Sequence, residues 1–582
     1  MLTPIKINVT MQHEVICMKL FIKPFEQEVF GKQTLVTFPY PREDMYSDSI
    51  FPYLVFDCGA FFFLNDRLNA QDSDRLMTLL EQGKLFEPWS QNGEFDWDSV
   101  YKHPLFASAP IFEQHVWIQR LYFLLPLAHR YGKTGDKKFA ALWLSYLKDW
   151  WNAHPYQPYE DISYLQTDLV WRDMQVAWRT LMLCYSIYFL GEHNPFALAD
   201  WQFIYDVLIT HADHLCREAE KHLATGHAQN HVLQVGLALL YCGVLFPHAK
   251  QAALYHVQGK NTIEMNRVKT IFPDGGNDES CPSYSHFIAR MYLEAYLLKK
   301  ENDYDDDLPL QKAIQSQYAF ACQMSSPGGT SLQLNDSYAM DAHADLWRVA
   351  KLFPLNLPDE KSSCFFPHSK MAVLRQGNYT VYIDGADHTA SHMHMGRPQV
   401  IAFYGNTPVL VDSGSPSYDA NKLRTYLKGP EAHNGLYVRE FPIKALRKYK
   451  EDCTFTDVCL DGDQKRVVIE SNAVFGKKSY LWTRTVVLTE QGMEITDHAN
   501  AEESLCWVSR FHLSDRALHI AEDNKQWKQY CGNKTLFATS SLSRELGFAP
   551  AVAADNRMGF AHVLTATGEG TTFDSHFRLE VK

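Results

Sequence analysis

The sequence predicts a multidomain α+β protein in which a long helical stretch, able to curl into an incomplete ring, precedes an antiparallel β-sandwich. Three observations carry this prediction. Between about residues 75 and 355 apolar residues recur at helical spacing. From about residue 356 onward short runs alternate with a period of two, bounded by Gly, Asn and Asp. A chain of 582 residues also exceeds what one ordinary core accommodates. The expected division is a strand-rich N-terminal cap or lobe over 1–75, a helical domain over 76–355 and a sandwich over 356–582.

In the first segment, strand-like pieces at 5–9, 15–21, 34–38 and 54–56 alternate with Pro-containing turns. Helices are expected at 116–130, 138–151, 169–189, 201–221, 232–245, 251–271, 287–299, 310–322 and 342–352. Breakers such as Gly132, Gly135, Pro155, Gly191, Pro247 and Pro273-Asp274-Gly275 separate them. Short links between consecutive helices imply helical hairpins, and no fixed repeat favours a plain solenoid. Strands are expected at 371–384, 400–403, 409–411, 467–470, 481–489, 493–497, 506–513, 564–567 and 573–581. A cleft is expected where the two architectures meet, since domain junctions are preferred pocket sites.

Composition narrows the function classes. With 46% hydrophobic and 21% charged residues the chain reads as globular, and no apolar run approaches the length of a membrane span. A net charge of −13 argues against nucleic acid as a partner, while a local basic cluster can still receive a small anion. The 12 cysteines show no CxxC pairing and read as thiols of a reducing compartment. The N-terminal stretch lacks a charged start followed by an apolar core, which reads as a cytoplasmic protein, or a periplasmic one if the chain has been trimmed. The 13 Trp, 30 Tyr and 35 Phe mostly fill cores, although sugar clefts draw on the same residues.

Three stretches can carry chemistry. The first is Gly226-His227-Ala228-Gln229-Asn230-His231, at a helix start. Asn230 and His231 can simply cap the helix; alternatively, an amide and an imidazole at the positive end of a helix dipole can clamp a carboxylate. The second runs from Pro273 to His286 and reads as a long polar loop before the next helix, without phosphate-loop or calcium-loop spacing. Its Tyr284 can pack its ring, or exchange a proton if nearby cations lower its pKa.

The third stretch, His392-Met393-His394 with Asp412 and His433-Asn434, brings two histidines, a turn aspartate and a later histidine toward the ends of adjacent strands. A lone histidine here would be ordinary alternation, but the arrangement can hold a metal, a proton-transfer histidine or both, with His394, Asp412 and His433 as the nitrogen and oxygen set of a divalent site, zinc first. His392, two residues from His394, points to the same side if the chain is extended. Arg397 and Arg424 are the candidate anion-binding cations, and Trp171 is the helix tryptophan taken to line a sugar subsite.

With these motifs the chain resembles the heparinase II/III superfamily of polysaccharide lyases. The resemblance runs over roughly residues 60–450. It includes Phe62-Phe63-Leu64-Asn65, Phe95-Asp96-Trp97, the stretch from Trp171-Arg172 to Arg179, Asn230-His231, the Asp274-Gly275 loop ending in Tyr284, and Ala432-His433-Asn434. Of the superfamily's Gly-His-x-His-x-Asp pattern the two histidines stand here, between Ser391 and Gly396. The resemblance implies an incomplete (α/α) toroid followed by an antiparallel β-sandwich, and β-elimination at a uronic acid. It implies Asn230 and His231 at the substrate carboxylate, Tyr284 as acid and, for one uronate configuration, also base, and His392 as second base. It further implies zinc at His394, Asp412 and His433, chiefly fixing the loop.

The implied substrate is an anionic uronate-containing oligosaccharide, glycosaminoglycan-type first and alginate second; a homo-oligomer stays open. A uronyl C5-epimerase would remove the same proton, and a carbohydrate-binding protein would keep the fold without turnover. A hydrolase would need paired acids, which no motif supplies.

Overall fold

The computed structural model describes residues 118–157 and 170–581, apart from breaks at 192, 248, 303, 305–306, 388–391, 416–421, 440–448, 476, 515–517, 521–524, 532–533 and 554–557, together with scattered positions before residue 118. The cap expected over 1–75 and the Phe62 to Asn65 motif lie outside the described residues, save for two short strands, β1 (Lys19–Phe21) and β2 (Leu35–Thr37), which pair antiparallel. A second small pair follows, β3 (Ser90–Gln91) and β4 (Glu94–Phe95). The chain divides into two compact units, Met1–Lys269 with Met291–Gln311, and Thr270–Arg290 with Lys312–Lys582. Among the described residues no helix is long and apolar enough to cross a membrane.

The first unit is helical: α1 (Leu124–Thr134), α2 (Lys137–Ala153), α3 (Asp173–Leu190), α4 (Leu198–Thr225), α5 (Asn230–Leu245) and α6 (Ala252–Thr270). The first helix starts later than its periodicity predicts, because Leu121 takes a left-handed backbone (φ 56°) that a helix cannot contain. Asp136 caps α2 by accepting from the Lys138 amide at 3.0 Å. Every residue of α5 from Val232 to Leu245 is buried, as befits a helix apolar on all sides, and it packs on α3 and α4.

Trp171 is packed inside this unit, 3% exposed, against Trp150, Trp151, Tyr156 and His211. The Arg179 guanidinium stacks on Trp150 at 4.4 Å and donates to the carbonyls of Gln119 (2.8 Å) and Val170 (2.7 Å). Trp171 is therefore core, not the sugar platform expected of it: at 3% exposed, with other rings packed around it, it has little surface to offer a ligand.

Helix α7 (Pro282–Lys300) crosses the boundary between the units, and α8 (Leu308–Gln323) begins close to it. The second unit holds α9 (Ala342–Leu352) and a large antiparallel sheet. Its strands are β5 (Cys364–Phe366), β6 (Met371–Gln376), β7 (Tyr379–Asp384), β8 (Gln399–Tyr404), β9 (Thr407–Leu410), β10 (Leu436–Val438), β11 (Tyr449–Cys459), β12 (Lys465–Phe475), β13 (Lys478–Leu488), β14 (Gly492–Leu513), β15 (Leu518–Ile520), β16 (Gln526–Cys531), β17 (Lys534–Ser540), β18 (Glu545–Val552) and β19 (Met558–Val581). The backbone of the sheet is the order β15-β16-β17-β19-β14-β9-β8-β7-β6-β5. Strand β6 lies against β12 and β13 without being hydrogen-bonded to either, so the sheet faces itself across one core. Leu374, Val381, Val400, Val486, Ile495 and Phe577 belong to that core.

The single strand expected over 371–384 is a hairpin turning at Gly377 (φ 56°), and the runs at 493–497 and 506–513 join into one strand. Strands β11 and β16 to β18 escape the pattern reading, because polar and charged residues on their outer faces dilute the alternation.

The sheet unit starts well before residue 356. Phe320, Met324, Leu332 and Leu334 share a core with Met371, Val373, Tyr382 and Ile401, and Asp274 accepts from the amides of His368 (2.7 Å) and Ser369 (2.8 Å). At its centre Arg484, fully buried, meets both Asp497 oxygens at 2.7 and 2.9 Å and donates to the carbonyls of Asn434 (2.5 Å) and Pro398 (2.9 Å). This ties the segment holding His433 to β13 and β14. Removing one partner leaves a buried charge uncompensated, so Asp497→Ala should destabilise the sheet unit by about 3–5 kcal/mol in urea unfolding. Lys478→Ala, at an exposed pair with Glu503, should change it by less than about 1 kcal/mol.

Candidate active site

The second unit assembles most of the candidate residues from three stretches. The 270–286 stretch is a tight turn: Ile271 pairs with Asn277, and the Asp278 amide donates to the Thr270 carbonyl at 3.0 Å. Helix α7 then begins at Pro282, where a missing N–H costs nothing. This differs from the long loop expected, and it puts Tyr284 in the first turn of a helix. The Ser283 amide donates to Ser337 Oγ at 2.8 Å, which sews this turn to the 335–338 segment.

That segment was not anticipated, and it holds the residue on which the site converges. Asn335 takes a left-handed backbone (φ 59°), a conformation asparagine tolerates, and its Oδ1 accepts from the His394 amide at 3.0 Å and from Arg397 Nη2 at 2.8 Å. The next residue, Asp336, is fully buried. Its carboxylate meets His392 Nδ1 at 3.1 Å, His394 Nε2 at 2.7 Å, and Arg424 Nη1 and Nη2 at 2.5 and 2.6 Å. Burial alone would raise this carboxyl; the Arg424 charge and the hydrogen bonds from both histidines and Arg424 outweigh it and hold it well below the ordinary carboxylate range. The only sequence signal is the Asn335-Asp336 pair, a turn former that resembles many others.

Tyr284 and His392 are brought together, their rings 4.4 Å apart and inclined by 32°. The His392 side chain is 15% exposed, and its Nε2 lies 3.8 Å from Glu279 Oε2. Beside it Asp278 is pushed up to about 7 by burial and by the Glu279 carboxylate. His392 thus has carboxyl groups beside both ring nitrogens.

Deeper in, the ligand atoms of His394, Asp412 and His433 lie within 4.8 Å of one another, and all three residues are buried. His433 Nδ1 is 2.7 Å from Asp412 Oδ2. Asp412 sits in a turn closed by the Gly414 amide at 2.6 Å, with Gly414 in the left-handed region (φ 62°) that its residue type favours. His394 Nδ1 and His433 Nε2 are buried without hydrogen-bond partners. Two bare, buried imidazole nitrogens beside a carboxylate fit a metal ion and are costly without one. Asp412 is lowered: burial would raise it, and the neighbouring His433 more than offsets this. His394 is lowered to about 3, chiefly by burial, so its ring stays neutral as a ligand requires.

Gly396 occupies the position of the superfamily's trailing aspartate. Its φ is 93°, and an added Cβ would come within 3.1 Å of Pro430 Cα, so a side chain here would be strained and crowded.

The two arginines expected to bind substrate are committed inward. Arg397, 2% exposed, pairs with Asp384 at 3.1 Å, with Asn335, and with the His394 carbonyl. A buried guanidinium has to find partners, and these hold the histidine segment in place. Arg424 spends both terminal nitrogens on Asp336 and also donates to Ser415 Oγ. In the helical unit Asn230 and His231 are the first two residues of α5; the residue at the cap position is Gln229, whose side chain makes no capping bond. Asn230 is buried, His231 half-buried.

Residues 66–358 match the family described as Heparinase II/III N-terminus, and residues 358–577 match Heparinase II/III-like, C-terminal. A heparin-sulfate lyase of Pedobacter heparinus is 23% identical over 280 residues, 47% of this chain and 40% of that protein. One of Bacteroides stercoris is 22% identical over 256 residues, 41% of this chain and 38% of that protein. The match thus spans about two fifths of either relative. The crystal structure of heparinase III superposes with a TM-score of 0.71 at 15% identity, covering 85% of this chain and 80% of the other, a likeness of fold.

A second buried imidazole, His512, is likewise lowered to about 3 by burial and by the nearby His433. Because both histidines are depressed when folded, the unfolded chain takes up protons that the folded chain refuses between about pH 6.5 and 3. Stability should therefore fall as pH drops through that window, by about 1.4 kcal/mol per pH unit for each histidine. Urea midpoints at pH 7, 6 and 5 check this, and His512→Gln should flatten the slope.

Proposed function

Because the chain belongs to the heparinase II/III family, we propose that it is a lyase that cleaves uronate-containing glycans by β-elimination, with glycosaminoglycan-type oligosaccharides as substrate. The observation that carries the reading is the Tyr284 ring 4.4 Å from the His392 ring, with the metal-ready cluster behind them. The heparin-sulfate lyase relatives support the substrate class.

The chemistry needs three functions. The carboxylate must be neutralised so that the proton at C5 becomes acidic, a base must take that proton, and an acid must protonate the departing oxygen. Asn230 and His231, at the positive end of a buried helix, are assigned to the carboxylate. His392 takes the C5 proton; the C–H electron pair becomes the C4–C5 double bond, and the C4–O4 bond breaks. Tyr284 gives its phenolic proton to O4, and for a uronate of the other configuration it is also the base. The product carries a 4,5-unsaturated ring.

A divalent ion, zinc in this reading, would be held by His394, Asp412 and His433 and would tie the strand ends around them. The scaffold in this reading is an incomplete (α/α) toroid followed by an antiparallel β-sandwich, as the heparinase III likeness supports.

A panel of heparan sulfate, heparosan, chondroitin, hyaluronan and alginate oligosaccharides, followed by ultraviolet absorbance with and without a chelator, tests the reading. The expected result is an unsaturated product from a glycosaminoglycan, with Tyr284→Phe and His392→Ala each lowering kcat by about 10²-fold or more. Inversion at C5 without unsaturation would identify an epimerase instead, and binding without turnover a carbohydrate-binding protein.

A further inference from the structure

We propose that Asp336 is a positioning residue for the reaction: its one carboxylate sets the reactive tautomers of His392 and His394 together and thereby links the metal cluster to proton abstraction. The inference rests on the assignment of His392 as base. The count of donors and acceptors at the carboxylate decides both tautomers. Asp336 is paired to Arg424 through both oxygens, and an ionised carboxylate only accepts.

His394 Nε2, 2.7 Å from Oδ1, must therefore carry the proton. In the neutral ring the lone pair is then on Nδ1, the nitrogen that is buried without a partner in a residue of the metal-ready trio. A metal-binding histidine whose other nitrogen donates to a carboxylate is fixed in orientation and made a better ligand.

The same count applies to the other ring. His392 Nδ1, 3.1 Å from Oδ2, carries its proton, which in the neutral ring puts the lone pair on Nε2. A base needs that lone pair, and Nε2 lies 3.8 Å from Glu279 Oε2. Two rings and two guanidinium nitrogens fill the roughly four lone-pair positions that a carboxylate offers. None is spare, so a shift of the His394 ring displaces the acceptor that orients His392. The 335–338 turn enforces this, since the Asp336 amide donates to the His392 carbonyl at 3.2 Å and Asn335 holds the His394 amide.

Asp336→Asn keeps the size but replaces one acceptor by a donor. The variant should bind zinc about 10- to 100-fold more weakly when titrated against a competing chelator. Its kcat should fall about 10²-fold with KM within about threefold of wild type, the pattern of a lost transition-state contribution. Stripping zinc from the wild-type protein should lower kcat, while stripping it from Asp336→Asn should add little, because both act through one carboxylate. Wild-type zinc affinity in the variant, or losses that simply multiply, would overturn the proposal. Should the variant fail to fold, the wild-type protein decides: full kcat after zinc removal, with an unchanged circular dichroism spectrum, breaks the link. If the wild-type protein forms no unsaturated product, the base assignment fails, and the zinc affinities still decide whether Asp336 supports the metal ligand.

Discussion

A carboxylate with no access to water must be met by hydrogen-bond donors or cations, and at Asp336 those donors come from distant stretches of chain. His392 and His394 lie 56 and 58 residues away, and Arg424 lies 88. Their convergence on one buried group is what fixes the segment before β8 against the turn before α9. The rest of the sheet unit serves this arrangement. Arg397 and Asn335 clamp the backbone around His394, Arg484 and Asp497 clamp the segment after His433, and the Asp412 turn is closed by Gly414. Each device satisfies a buried polar group that would otherwise cost about 1–3 kcal/mol or more.

The site therefore has two depths. Tyr284 and His392 form a half-buried pair, whereas His394, Asp412 and His433 are enclosed. A buried trio with two bare ring nitrogens could hold a metal. Asp336 touches both.

Much of this was legible in the sequence. Helical periodicity located α2 to α6 within a few residues, and the spacing of His394, Asp412 and His433 was enough to group three residues that the fold places together. What the sequence leaves open has a common cause. A sequence shows that Arg397, Arg424 and Trp171 are able to bind an anion or a sugar, but not whether some distant group already occupies them. Arg424 is occupied by Asp336, Arg397 by Asp384, and Trp171 by neighbouring rings. Asp336 itself sits in an irregular turn where no periodicity marks a carboxylate as special. The start of α7 lies earlier than expected because Gly275 and Gly276 weigh against helix locally, while the bond that anchors its first turn runs from the Ser283 amide to Ser337, 54 residues on.

The most direct measurement is nuclear magnetic resonance of the zinc-bound protein with isotope-labelled histidine, which reports which ring nitrogen of each histidine bears hydrogen. The account predicts hydrogen on Nδ1 of His392 and on Nε2 of His394, with metal-shifted resonance at Nδ1 of His394. Hydrogen on Nε2 of His392, or metal at Nε2 of His394, would contradict it, because Asp336 would then not be the acceptor that sets both rings.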